Sequence, residues 1–164
     1  IFYGHRRVGH SRKYFRCLNF RPMRPDGDRV LQDYLKANPA AYEEWRNARK
    51  LQHDPRVTVV GTVLRKLSLD ELPQLFNILR GEMSLVGPRP VVEDELELYE
   101  ASAIYYLQTR PGLTGLWQVS GRNDVSYAAR VAFDTHYVCN WSLVSDLMIV
   151  ARTIPAVCLS RGSY

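Results

Sequence analysis

Lys66-Leu67-Ser68-Leu69-Asp70-Glu71-Leu72-Pro73-Gln74-Leu75-Phe76-Asn77-Ile78-Leu79-Arg80-Gly81-Glu82-Met83-Ser84-Leu85-Val86-Gly87-Pro88-Arg89-Pro90 is the stretch on which the reading of this 164-residue chain turns. Adjacent carboxylates, Asp70 and Glu71, open an apolar-periodic segment. Leu72, Leu75, Phe76 and Leu79 recur at helical spacing, and Gly81 stands where a helix stop is expected. Ser68-x-x-Glu71 has the form of a capping box. With Ser68 as cap, however, Pro73 would be the fifth helical residue and its ring would press on the carbonyl of Leu69. The helix start is therefore placed at about Asp70, with Pro73 in the first turn. An Asp70 cap would normally bond the third amide, and Pro73 has none to offer. Its carboxylate is then less occupied than most caps, at a positive helix end where phosphate also binds. The residues alone leave a plain helix N-terminus and a catalytic dyad both open.

The second half of the stretch adds a cation. Pro88 fixes its own φ and Pro90 pushes Arg89 into extended geometry. A guanidinium on so stiff a backbone suits bidentate phosphate recognition, with a rigid turn carrying an exposed Arg as the alternative. Upstream, Arg65 sits about one helical turn before Asp70, where a cation would lower the carboxylate pKa and keep it ionised, with a surface Arg that pairs with any acid as the alternative. Downstream, Arg110-Pro111-Gly112 to Gly121-Arg122 is glycine-rich. Gly112, Gly115 and Gly121 permit φ > 0 and close backbone approach, which suits amides turned toward a diphosphate. Trp117 in this stretch either stacks on a base or is buried.

Composition bounds the rest. The length suits one domain, residues 1–164, with a real core, and 46% hydrophobic residues excludes general disorder. The net charge of +5 is unevenly spread: residues 1–25 carry Arg6, Arg7, Arg12, Lys13, Arg16, Arg21 and Arg24 and no acid. That asymmetry suggests an anionic partner, with a solvated basic face as the alternative. Cys17, Cys139 and Cys158 have no C-x-x-C spacing and read as reduced thiols in apolar surroundings. The histidines form no zinc-ligand pattern, and no run of 18 uncharged apolar residues occurs.

Along the chain, the β-rich runs Ile1-Phe2-Tyr3 and Tyr14 to Phe20 flank the turn-prone Gly9 to Arg12 and predict a hairpin. Asp28 is expected to cap a helix with Val30, Leu31, Tyr34 and Leu35 on one face. Asn38-Pro39 ends it, and a second helix runs from Ala40 to Leu51. Val57 to Gly61 reads as strand-like. The acid-rich Val91 to Tyr99 reads as a solvated helix and Ile104 to Leu107 as core. Tyr127 to Asn140 is predicted as an amphipathic helix in which Asp134 is either exposed or paired. Leu143 to Leu159, broken by Asp146, Arg152 and Pro155, is an interfacial or core helix. The fold class is α+β: a small hairpin or sheet with several amphipathic helices, some at a membrane interface.

Leu69 to Gln74 and Gly81 to Pro90, with Thr109 to Arg122 and Tyr137 to Leu143, resemble the signature of the bacterial sugar transferases, the polyprenyl-phosphate hexose-1-phosphate (monotopic phosphoglycosyl) transferases. The resemblance runs from about Ile1 to Tyr164. It departs at Asn19, where the family pattern has Lys, and at Pro22, where it has Ser or Thr. It implies transfer of a hexose 1-phosphate, galactose or glucose first, from a UDP-sugar to undecaprenyl phosphate with release of UMP. That would be the first step of exopolysaccharide, capsule or O-antigen synthesis. By the same resemblance Asp70 is the nucleophile of a covalent phosphosugar intermediate, and Glu71 is a metal ligand or proton acceptor. Asp70 and Glu71 would hold Mg²⁺. Arg89 and Arg122 would hold phosphates with help from Arg65 and Arg110, Gly112 and Gly115 would offer amides, and Asp146 matches a family acid. A membrane-inserted helix is expected upstream of Ile1, with the domain on an anionic membrane surface at the cytoplasmic face of the bacterial inner membrane. Two other classes stay open: a non-catalytic membrane-associated remnant and a basic nucleic-acid-binding module.

Overall fold

In a computed structural model, which describes residues 2–48, 51, 54–120 and 126–158, the chain is an α+β fold whose organising unit is the predicted hairpin. Strands β1 (Phe2–Val8) and β2 (Tyr14–Phe20) pair antiparallel, with Val8 opposite Tyr14 and Phe2 opposite Phe20. The connecting turn holds Ser11 and Arg12 at φ of 53° and 60°. One face packs inward: Phe15 and Cys17 are buried against Met83, with Ile78 beside them.

The hairpin docks on the middle of the chain by backbone. Val8 N–H donates to the Val91 carbonyl at 2.9 Å. Tyr106, from α6 (Ala103–Leu107), closes the other half of that bridge. Its hydroxyl donates to the Val8 carbonyl at 2.7 Å and accepts from Val91 N–H at 3.2 Å. Charge adds to the docking. Arg7 pairs with Glu95 at 3.3 Å, Arg12 pairs with Glu93, and the Tyr14 hydroxyl donates to Glu93 at 2.7 Å. The acid-rich helix α5 (Glu93–Glu97) is thus not merely a solvated face, since it takes up part of the positive charge of the amino-terminal segment.

Helices α1 (Gly27–Ala37) and α2 (Pro39–Ala48) follow. Asp26, not Asp28, stands at the start of α1, its carboxylate engaged by Arg24 and Arg29. The expected end of the second helix, up to Leu51, falls partly outside the described residues. Val57 makes only an isolated bridge to Met23. The strand-like run beyond it is the start of α3 (Val59–Lys66), because the Thr58 hydroxyl accepts from Gly61 N–H at 2.9 Å and caps a helix there. Gly61 is required by crowding: a Cβ on it would lie 2.0 Å from the Pro22 carbonyl oxygen.

A short parallel pair, β3 (Ser84–Val86) and β4 (Gly112–Thr114), forms the second sheet, with α5 and α6 in the crossover. It rests on α7 (Leu116–Ser120), α8 (Tyr127–Cys139) and α9 (Leu143–Cys158), through a cluster of Val86, Tyr137 and Ile149. Within α9 Ile149 is buried while Leu143, Val144, Leu147 and Ile154 are exposed, so the helix serves the core with one face only. In α6, likewise, Tyr106 is buried but Ile104 is exposed. Cys17 is buried as expected, whereas Cys139 is exposed at the end of α8.

Asp134 on α8 is paired: it is 3% exposed and accepts from the Tyr99 hydroxyl at 2.7 Å. Burial pushes its carboxyl up to about 7 from 3.8, against the lowering effect of that hydrogen bond. The native protein therefore holds a proton between about pH 4 and 7 that the unfolded chain has released, and stability is lost as pH rises through that window. Three pKa units correspond to about 4 kcal/mol. In urea titrations, Asp134→Asn should be less sensitive to pH than wild type over this range and the more stable of the two at pH 8. Parallel pH profiles for the two proteins would remove this role.

Candidate functional site

Asp70 and Glu71 lie in a 3₁₀ turn (Leu69–Glu71) that begins after Ser68 in left-handed geometry, φ 52°. This corrects the expected helix start at about Asp70: α4 spans Gln74–Leu79, with Pro73 before it rather than in its first turn, and Ser68 makes no side-chain cap. The consequence is that the dyad sits on a tight turn ahead of the helix, where Pro73 costs nothing because its missing N–H would be unpaired anyway.

Helix α4 is inverted relative to a surface helix. Its polar residues Gln74 and Asn77 are 5% and 0% exposed, while Phe76 and Leu79 are 54% and 83% exposed. Asn77 explains the inversion, because its carboxamide is the clamp to the hairpin. It accepts from Leu18 N–H at 3.0 Å and donates to the Arg16 carbonyl at 2.8 Å and to Glu82 at 2.6 Å. The predicted apolar stripe exists but faces out. On α3, Val59 and Val60 are also exposed.

A cavity of about 270 Å³ joins these pieces. Asp70, Glu71 and Gln74 form one side, Arg89, Pro90 and Gly112 another, and β1 and β2 supply Tyr3, His5, Arg7, Cys17 and Asn19. Burial raises the Asp70 carboxyl above the usual carboxylate range. Its own backbone hydrogen bond and the charges of Arg65 and Arg89 pull the other way and do not win. Arg65 thus acts in the expected direction without setting the outcome. Cys17 is pushed up to about 11 by burial, so its thiol stays protonated beside the dyad.

The other candidates fall in different places. Arg89 lines the cavity, whereas Arg65, Arg110, Gly115 and Asp146 are not part of its wall. Arg110 is exposed before β4. Asp146 is engaged in the first turn of α9, accepting from the Tyr137 hydroxyl at 2.8 Å and Trp141 Nε1 at 3.1 Å. Arg122 and Gly121 lie outside the described residues. Gly112 reaches the cavity, but its amide donates to the Pro88 carbonyl at 2.8 Å. The glycines here serve backbone contact: a Cβ on Gly112 would lie 2.1 Å from Gly87 N, and one on Gly115 2.3 Å from the Gly87 oxygen. Trp117 is buried beneath the Arg130 guanidinium, 4.6 Å from the ring centroid.

Sequence reading missed Tyr3, His5, Arg7 and Cys17 as cavity residues. Strand alternation carried the signal: odd-numbered residues of both strands share a face, and His5 stands opposite Cys17 as Tyr3 stands opposite Asn19. No group of three or more potential ligands for a metal occurs among the described residues. The donor set nevertheless fits Mg²⁺, which is commonly held by one or two carboxylates with substrate phosphates completing its shell.

Comparison with known proteins places this chain in a family. The bacterial sugar transferase model matches residues 1–160, and the chain belongs to that family. It is 77% identical over its full 164 residues to the exopolysaccharide production protein ExoY of Sinorhizobium fredii, covering 73% of that protein. The ExoY protein of Rhizobium meliloti is 74% identical over the same span, again with 73% of its length covered. An undecaprenyl-phosphate galactose phosphotransferase of Salmonella typhimurium is 54% identical over 162 residues, which are 99% of this chain and 34% of that protein.

Proposed function

We propose that this chain transfers hexose 1-phosphate, with galactose first and glucose second, from a UDP-sugar to undecaprenyl phosphate, in exopolysaccharide synthesis. The observation that carries the reading is that Asp70, Glu71 and Arg89 line one cavity. In the first step an Asp70 carboxylate oxygen attacks the phosphorus bearing the sugar. The bond from that phosphorus to the bridging diphosphate oxygen breaks, and UMP leaves with the electron pair. In the second step a phosphate oxygen of the polyprenyl carrier attacks the same phosphorus and Asp70 departs as carboxylate. One hard displacement becomes two easier ones.

The difficulty is an anion approaching an anion. Arg89, set between Pro88 and Pro90, offsets charge on the diphosphate. Asp70 and Glu71 are the residues that would hold Mg²⁺, which when bound neutralises further phosphate charge. Burial of Asp70 raises the energy of its charged form and keeps water scarce around the acyl phosphate. The lipid carrier is reached from the apolar side of the site. Leu72, Leu75, Phe76 and Leu79, next to the dyad, are exposed, as are Val59 and Val60 on α3. No helix among the described residues is long and apolar enough to cross a membrane. This face is read as lying on the cytoplasmic leaflet of the inner membrane, whose anionic headgroups meet the exposed arginines of the hairpin.

The test is UMP release from UDP-galactose and UDP-glucose by the full-length protein in undecaprenyl-phosphate vesicles. Release should require the lipid and Mg²⁺ and stop on chelation. Absence of release from any UDP-sugar would favour the non-catalytic alternative.

A further inference from the structure

Beside the dyad the cavity holds a polar pair that the proposed mechanism leaves unused. Asn19, near the end of β2, and Gln74, the first residue of α4, both line it. Gln74 Nε2 donates to Asn19 Oδ1 at 3.2 Å, and the Cys17 thiol approaches the same oxygen at 3.9 Å. These contacts orient both carboxamides. Asn19 Nδ2 and Gln74 Oε1 are left without a partner among the described residues. Neither is among the buried polar atoms that lack one, so neither is a sealed-off orphan. Asn77, bonded to the backbone on both sides of Cys17 and carried by the same helix as Gln74, fixes their spacing. The pair is thus a preorganised donor and acceptor rather than two loose side chains.

Its surroundings select a ligand class. The thiol beside it stays neutral, and the charges of Arg7, Glu71 and Arg89 all reach that thiol, so the pair stands among the charged groups of the cavity. Two neutral carboxamides bring no charge to a phosphate and match a sugar's hydroxyl groups, which both donate and accept. In a UDP-sugar the hexose is esterified to the phosphorus that Asp70 attacks. Residues flanking Asp70 therefore meet the hexose, while the uracil lies a further phosphate and a ribose away.

We infer that Asn19 and Gln74 form the hexose subsite and read hydroxyl groups of the transferred sugar. This rests on the proposed function. Because a site built to bond a hydroxyl is left with unpaired groups when the hydroxyl is missing, it discriminates against deoxy analogues.

The experiment compares binding of UDP-galactose, UDP-glucose and UDP to the full-length protein in detergent. Wild type is set beside Asn19→Ala and the similar-sized Asn19→Leu, with melting curves to confirm folding. The subsite predicts about a tenfold loss of affinity for the preferred UDP-hexose, the worth of one such hydrogen bond, and unchanged affinity for UDP. Equal losses for UDP and UDP-hexose, or no loss for either, would overturn it. If wild type binds neither nucleotide, the transferase reading itself fails, and the subsite with it. Monodeoxy analogues of the preferred UDP-hexose, tested on wild type, give a second reading independent of folding. At least one should bind about tenfold more weakly, and equal binding of all of them would contradict the inference.

Discussion

Asp70→Asn is expected to reduce UMP release by at least about a thousandfold, the scale seen when a covalent nucleophile is removed. The same change should leave the melting temperature unchanged or raise it. Burial disfavours the charged form of this carboxyl, so a neutral amide of the same shape relieves a cost that the folded protein carries. Loss of activity with retained or improved stability is the signature of a group kept for chemistry rather than for folding. Full activity in the purified variant would remove Asp70 from the mechanism. A collapse of stability in step with activity would make it a structural residue.

Gly112→Ala should have a large effect on folding. The added Cβ would lie 2.1 Å from Gly87 N and 2.5 Å from the Thr114 carbonyl oxygen, both of them backbone atoms that cannot swing aside. The strands β3 and β4 would have to separate, with loss of the bonds from Gly87 N–H to Thr114 and from Gly112 N–H to Pro88. We expect a loss of more than about 3 kcal/mol, a large part of the stability of an ordinary domain. A urea midpoint equal to that of wild type would show that the strands do not approach so closely. The outcome also separates two roles for this glycine. A pure phosphate-cradling glycine would lose substrate affinity and keep stability, whereas a packing glycine loses stability first.

Much of this arrangement was legible in the chain, for physical reasons that differ from piece to piece. The hairpin was readable because its strands and turn are local. The Asp70–Glu71 pair and Arg89 stood out because prolines and helix geometry restrict them wherever they are placed. What escaped depends on partners distant in sequence. Val57 to Val60 has strand-forming side chains, yet the Thr58 cap and the contact of Gly61 with Pro22 turn the run into α3. Asp134 could not be assigned until Tyr99 was placed against it. The acids of α5 looked solvated because the arginines that meet them lie some eighty positions earlier. Helix α4 was found by its apolar period, but the period did not say which face is buried. Asn77 decides that by bonding the hairpin backbone, and the leucines turn outward in consequence.

Attack by Asp70 on phosphorus is tested most directly by incubating the full-length protein with a UDP-hexose radiolabelled in the sugar, without lipid acceptor, and mapping the label. Label should remain on a peptide containing Asp70, be absent from Asp70→Asn, and leave the protein when undecaprenyl phosphate is added. Brisk turnover with no label on the protein at any stage would mean a single direct displacement and contradict a covalent role for Asp70.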